Sequence, residues 1–128
     1  MKQRGEASDA ARDAARDVGE PDSRAIHLQE LRRGTVVLAC LRLLIEPGYG
    51  YGLLEDLQTR GFDTDANTLY PLLRRLEKQG HLTSEWNTDE ARPRKFYRTS
   101  ADGILLAQAL TTDFRALATA ISALPEEN

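Results

Sequence analysis

The segment Asn67-Thr-Leu-Tyr-Pro-Leu-Leu-Arg-Arg-Leu-Glu-Lys-Gln-Gly80 constrains this chain more than any other. Its leucines Leu69, Leu72, Leu73 and Leu76 recur at i, i+3, i+4 and i+7, the stripe with which a helix faces a core. At about 100° per residue, the opposite face carries Asn67, Pro71, Arg74 and Lys78, with Tyr70 and Arg75 on its flanks. Amide, phenol and cation donors on one exposed ridge suit a nucleic-acid groove, where phosphates attract cations and base edges accept bidentate donors. An ordinary solvated helix face has the same composition, and the neighbouring segments decide between the two.

With 128 residues and 41% hydrophobic content, the chain supports one domain with a small core, plus a tail. The formal net charge of −3 taken alone argues against a nucleic-acid partner. The charge is unevenly spread, however. Residues 66–84 hold Arg74, Arg75 and Lys78 against Glu77 alone, and residues 91–100 hold Arg92, Arg94, Lys95 and Arg98 with no acid. Acid dominates residues 101–128, where Asp102, Asp113, Glu126 and Glu127 face Arg115. A local basic patch governs attraction to phosphate more than the total does. No apolar run reaches the roughly 18 residues of a membrane span, since Arg42 interrupts residues 36–45. An N-terminus without an apolar signal core leads us to expect a cytoplasmic protein with no membrane partner. The lone Cys40 excludes an internal disulfide framework.

Along the chain, residues 1–26 read as a charged, disordered tail. The tandem Ala10-Ala-Arg-Asp-Ala-Ala-Arg-Asp17 favours helix through i, i+3 pairs, but almost no large apolar residue is there to dock it. Residues 27–100 read as a globular domain. Leu31, Thr35, Leu38, Leu41 and Ile45 predict a first helix ended by Pro47-Gly48. Gly48-Tyr-Gly-Tyr-Gly52 reads as a turn. A short second helix with Leu53, Leu54 and Leu57 inward ends at Gly61. Asp65 is the expected N-cap of the third helix, and Pro71 inside it predicts a kink or a late start. Gly80 closes that helix. Leu82-Thr-Ser-Glu-Trp86 and Pro93-Arg-Lys-Phe-Tyr-Arg98 alternate in polarity around the turn-rich residues 87–92, a β-hairpin. Thr99-x-x-Asp102 resembles a capping box opening a last helix over residues 101–128. There Gly103, Ala107, Leu110, Phe114, Leu117, Ile121 and Leu124 alternate spacings of four and three, an a/d heptad stripe. The dimerisation residues expected from it are Ala107, Leu110, Phe114, Leu117, Ile121 and Leu124.

Helices followed by a basic hairpin predict a mainly α fold with a small β-hairpin: a winged helix-turn-helix plus a long C-terminal dimerisation helix. In that motif the third helix enters the major groove. Asn67, Thr68 and Arg74 are the expected base readers, because Asn suits adenine and Arg suits guanine. Tyr51, Tyr70, Arg75, Lys78 and the wing cations Arg92, Arg94 and Lys95 are expected at the DNA backbone. Double-stranded DNA is the expected partner, read by a homodimer on an inverted repeat. Catalysis finds no support. His27 and His81 lie far apart in the chain, Cys40 sits on an apolar helix face, and no ligand spacing for a metal occurs, so neither metal nor cofactor is expected. Gly48-x-Gly50-x-Gly52 lacks the strand and the Gly-Lys-Ser/Thr of a phosphate loop.

From Leu31 to Thr99 the chain resembles the PadR-like transcriptional regulators of bacteria. The landmarks are Gly50-Tyr51-Gly52, Thr68-Leu-Tyr-Pro71, Leu73-x-x-Leu76-Glu77-x-x-Gly80, and Arg94-Lys-Phe-Tyr-Arg98 before Thr99. The resemblance implies a dimeric winged-helix repressor with a C-terminal dimerisation helix, of the short form, and it places Tyr51 and Tyr70 at or near the DNA backbone. In our reading a small-molecule effector or a partner in the dimer cavity changes the spacing of the two recognition helices and releases DNA. Some short-form members stack flat aromatic drugs on a tryptophan of the C-terminal helix. Here the one tryptophan, Trp86, lies on a wing strand and the matching stretch offers Phe114. A protein-interaction module on the same scaffold, without sequence-specific DNA binding, is the competing reading that the acidic total keeps open.

Overall fold

The structure, a computed structural model, describes residues 22–89 and 91–127. The tandem at residues 10–17 therefore lies outside the described residues. The chain divides at Arg33/Gly34 into two units. Of the first, the helix α1 (Ser23–Arg33) is described, and none of its residues is buried. Its first turn covers residues 23–26, which the sequence reading assigned to the tail.

The second unit holds α2 (Thr35–Leu43), β1 (Gly48–Tyr49), α3 (Gly50–Thr59), α4 (Ala66–Lys78), β2 (Leu82–Asn87), β3 (Arg94–Thr99) and α5 (Ala101–Ser122). Instead of one helix over residues 31–45, the chain has two, separated at Gly34. The buried positions of α2 are Val36, Ala39, Cys40 and Leu41, whereas Leu31 and Ile45 stay exposed. Residues 36–41 are apolar all round, so periodicity alone could not select the stripe that faces the core. Leucine packing closes this core: Leu41, Leu57, Leu69 and Leu73 are fully buried, with Leu44, Leu53, Leu72, Leu76 and Leu82 beside them. Each such side chain stabilises the fold by about 1.5–3 kcal/mol over its exposed state.

The helix ends follow local chemistry. Asp65 caps α4, its side chain accepting from the Thr68 N–H at 2.9 Å. Gly61 and Gly80 take φ of +94° and +86°, and each sits in a Schellman motif. After α3 the Phe62 N–H reaches the Leu57 carbonyl at 2.8 Å, and after α4 the His81 N–H reaches the Leu76 carbonyl at 2.9 Å. Pro71 lies inside α4, which starts at Ala66 and not after the proline.

The sheet has three strands in the order β1-β3-β2, all pairs antiparallel. Gly48-Tyr49, expected as part of a turn, pairs with Tyr97 and Phe96 of β3, and helix α3 begins at the next residue. The last helix also differs from expectation at its start. Its N-cap is Ser100, which accepts from the Gly103 N–H at 3.0 Å. Thr99 is instead buried, its hydroxyl donating to the Leu41 carbonyl at 2.7 Å.

The heptad stripe of α5 divides into two parts. Gly103 and Ala107 are buried within the chain's own domain, Ala107 at 6% exposure, so Ala107 is a core residue and not a dimer contact. Leu110 is half-buried. Phe114, Leu117 and Ile121 stand 52%, 56% and 60% exposed, and Leu124, just past the helix end, 60%. Among the described residues α5 is the helix long and apolar enough to cross a membrane, with a mean hydropathy of 1.2 over its most apolar window. Asp113 and Arg115 interrupt it near mid-length, an expensive pair to hold in lipid. Besides the heptad stripe, its first turns expose Ile104 and Leu105, which lie off that stripe.

A Cβ on Gly103 would collide with the His81 carbonyl, so Gly103→Ala should lower unfolding stability by about 1–3 kcal/mol, read from the urea midpoint. Burial pushes the Cys40 thiol from 9.0 up to about 12. A raised thiol pKa favours the folded state fully below pH 9.0, and that contribution is lost as pH climbs toward 12. Native protein at neutral pH should therefore resist thiol reagents that label the denatured chain readily.

Candidate nucleic-acid interface

Helix α4 presents two faces of opposite character. Leu69, Leu72, Leu73 and Leu76 are buried, and Asn67, Thr68, Pro71, Arg74, Arg75 and Lys78 are exposed. The Asp65 cap engages the backbone N–H of Thr68, a residue that is itself exposed. Asn67, Thr68 and Arg74, named from sequence as base readers, thus share one accessible ridge with Arg75 and Lys78.

Tyr70 and Glu77, seven residues apart, lie on the flank of α4 beside the wing. Tyr70 is half-buried, and its ring covers Gly50 so closely that a Cβ there would stand 2.9 Å from the ring. Glycine at the start of α3 is thereby explained by the approach of the tyrosine. A crevice of about 290 Å³ separates this flank from the wing, with Tyr49, Tyr51, Tyr70, Trp86 and Arg94 in its lining.

The alternation of β3 sorts the wing cations. Lys95, Tyr97 and Thr99 share one face, and Arg94, Phe96 and Arg98 the other. On the outer face Arg94 donates to the Tyr51 hydroxyl and lies 5.0 Å from the Tyr51 ring centre and 6.0 Å from that of Tyr49. Tyr49 meets Tyr51 edge-on at 5.6 Å and Phe96 at 5.9 Å. These contacts orient the guanidinium. Lys95 has a different fate from a free wing cation. Its ammonium pairs with the Glu77 carboxylate at 3.1 Å and sits 5.5 Å from the Tyr97 ring centre. The second Glu77 oxygen accepts from the Ser84 hydroxyl at 2.5 Å. The Ser84 bond first, then Lys95, hold the Glu77 carboxyl below its ordinary value, against an opposing push from partial burial. Arg92 is exposed in the loop.

Tyr49 and Asn87 were not singled out by sequence reasoning, and Glu77 was given no role beyond being the one acid of its segment and part of a family landmark. Asn87 donates to the Tyr49 hydroxyl at 2.6 Å and accepts from the Asp89 N–H at 3.0 Å, tying the wing loop to β1. The available signals were an aromatic at every second residue of Gly48-Tyr-Gly-Tyr-Gly52 and a lone acid within a basic helix. Replacing Asn87 by Ala should cost about 1 kcal/mol and speed amide exchange in the wing, with Trp86 fluorescence as a local reporter.

No group of His, Cys, Asp and Glu suited to hold a metal occurs among the described residues. The ridge, the crevice and the wing together form a basic, donor-rich surface.

Comparison with known proteins agrees with that chemistry. The model of the transcriptional regulator PadR-like family matches residues 37–108, more than half of the chain. The transcriptional regulator Rv3488 of Mycobacterium tuberculosis is 36% identical over 91 residues, which cover 70% of this chain and 82% of that protein. A crystal structure of a PadR family regulator from Eggerthella lenta superposes with a TM-score of 0.79 at 41% identity, covering 90% of this chain and 98% of the other. A transcriptional regulator from Clostridium thermocellum gives 0.70 at 27% identity, covering 76% and 99%. Members of the family bind DNA and are generally dimeric. This chain belongs to the PadR-like family: it is a DNA-binding transcriptional regulator on a winged-helix scaffold, and not an enzyme.

Proposed function

We propose that the chain is an effector-responsive repressor that binds an inverted-repeat operator as a cytoplasmic homodimer. The observation that carries this reading is the ridge of α4, where Asn67, Thr68 and Arg74 stand exposed above a buried leucine face. A helix of that kind enters the major groove with side chains free to meet base edges. Asn67, Thr68 and Arg74 read bases; Tyr51, Arg75, Lys78, Arg92 and Arg94 meet phosphates. Tyr70, half-buried in the crevice, lines the path of the backbone.

Dimerisation is supported by the exposed part of the α5 stripe, Phe114, Leu117 and Ile121, with the half-buried Leu110 before it and the exposed Leu124 just past the helix end. Such a row of large apolar residues on a long helix calls for a partner helix. Next to it, a groove of about 440 Å³ runs between α2 and α5, lined by Leu38, Phe62 and Phe114 with Arg42 and Arg115 among its polar residues. A two-fold axis through α5 would place this groove at the dimer cavity, where a small-molecule effector changes the spacing of the two α4 helices and so releases DNA. The spacing to be matched is that of half-sites about 34–36 Å apart, or a multiple of it.

Fluorescence anisotropy on a duplex selected from a random pool tests the reading. Arg74→Ala should cost about 1–3 kcal/mol and relax base choice at one position. Arg75→Ala should weaken all duplexes alike and lower the salt slope by about 0.9. Selection that returned no common sequence, with affinity unmoved by either change, would favour the protein-interaction reading.

A further inference from the structure

We propose that Glu77 is a positioning residue for DNA binding: its carboxylate latches the wing to the recognition helix and keeps Lys95 off the DNA. The inference rests on the proposed reading of α4 as the base-reading helix.

Glu77 is the one acid in the basic segment 66–84, three residues after Arg74 and directly before Lys78. An anion so close to a phosphate-seeking ridge opposes binding. Its contacts show what it does instead. One oxygen accepts from Ser84 on β2 at 2.5 Å and the other pairs with Lys95 on β3 at 3.1 Å. A single side chain of α4 therefore grips both strands of the hairpin. Beyond this point the wing carries Arg94 and Arg92, so its tilt decides where they arrive.

The ion pair by itself adds little stability. The Glu77 and Lys95 side chains are 32% and 30% exposed, and pairs that open to solvent are screened to little net value. Geometry and charge are what remain. While latched, Lys95 is neutralised and offers phosphate nothing. Removing Glu77 frees Lys95, deletes an anion from the interface and lets the wing move. Affinity for any duplex then rises while discrimination between duplexes falls.

The test uses the full-length protein with a selected duplex and a scrambled one, over a salt series. Glu77→Ala should bind the scrambled duplex more tightly than wild type. The released cation should steepen the salt slope by about 0.9, or three- to fourfold in affinity between about 50 and 200 mM salt. The ratio of selected to scrambled affinity should fall. Lys95→Gln added to Glu77→Ala should return the slope to the wild-type value, because both changes act through one pair. Glu77→Gln keeps an acceptor for Ser84 and should show the slope change with a smaller loss of discrimination; it also serves if the alanine variant fails to fold. A folded Glu77→Gln variant with wild-type slope and discrimination would overturn the latch. Strictly additive effects of the Glu77 and Lys95 changes would do the same. If wild type itself cannot tell the selected duplex from the scrambled one, the recognition-helix reading fails, and the latch with it.

Discussion

The junction of β3 with α5 holds the rest of the domain in place. Thr99 donates twice to the C-terminal end of α2: its hydroxyl to the Leu41 carbonyl at 2.7 Å and its N–H to the Leu44 carbonyl at 2.8 Å. A helix end leaves such carbonyls unpaired, and leaving them so when buried costs about 1–3 kcal/mol each. The next residue ties the other side. The Ser100 N–H reaches the His81 carbonyl at 3.1 Å and its hydroxyl the Gly80 carbonyl at 2.6 Å, just past α4, while the same hydroxyl caps α5. Gly103 then passes too near the His81 carbonyl to tolerate a side chain. Two adjacent residues thus fix α2, α4, β3 and α5 to one another.

That junction gives the wing its frame. Because β3 is the central strand, pinning its C-terminal end also sets β1 and β2. From Thr99 outward the inner face runs through Tyr97 to Lys95, passing from full burial to the rim. Lys95 arrives beside Glu77 through this alternation, and Arg94 arrives on the outer face against Tyr49 and Tyr51. The two wing cations, neighbours in sequence, end in different surroundings. One pairs with a carboxylate, the other lies against two aromatic rings.

What was legible in the sequence was local. The leucine stripe of α4, the Asp65 cap, the glycines at 61 and 80 and the hairpin each depend on residues within a few positions, and each is found as read. What was not legible depends on distant partners. A two-residue strand at Gly48-Tyr49 exists only because β3 pairs with it. Thr99 and Ser100 both carry hydroxyls able to cap a helix, and a carbonyl 58 residues upstream decides that Thr99 does something else. The first helix had apolar residues on every side, so its buried face had to be chosen by the packing of α3 and α5. Ala107 fits the heptad as well as Leu110 does; only the depth at which α5 enters the domain separates core from seam. For the candidate interface, the exposed ridge followed from the leucine period, whereas the pairing of Lys95 with Glu77 crosses from helix to strand and left no periodic trace.

The division of α5 bears on how binding at one end of the molecule is felt at the other. Its first turns are part of the core, locked by Ser100 and Gly103 to the residues that end α4. Its later turns are exposed and carry the stripe proposed to meet a second copy. A 22-residue α-helix spans about 33 Å and is stiff over that length. On the proposed reading, a small rotation of the outer half, where two copies meet, must therefore be transmitted to the inner half or absorbed by bending. The inner half cannot turn alone, because the Gly103 backbone sits against the His81 carbonyl and Ala107 is packed in the core. Rotation of α5 then carries the whole domain with it, and α4 moves as part of a rigid body. The small residues that let α5 enter the core so closely are, on this account, what would couple the dimer contact to the spacing of the recognition helices.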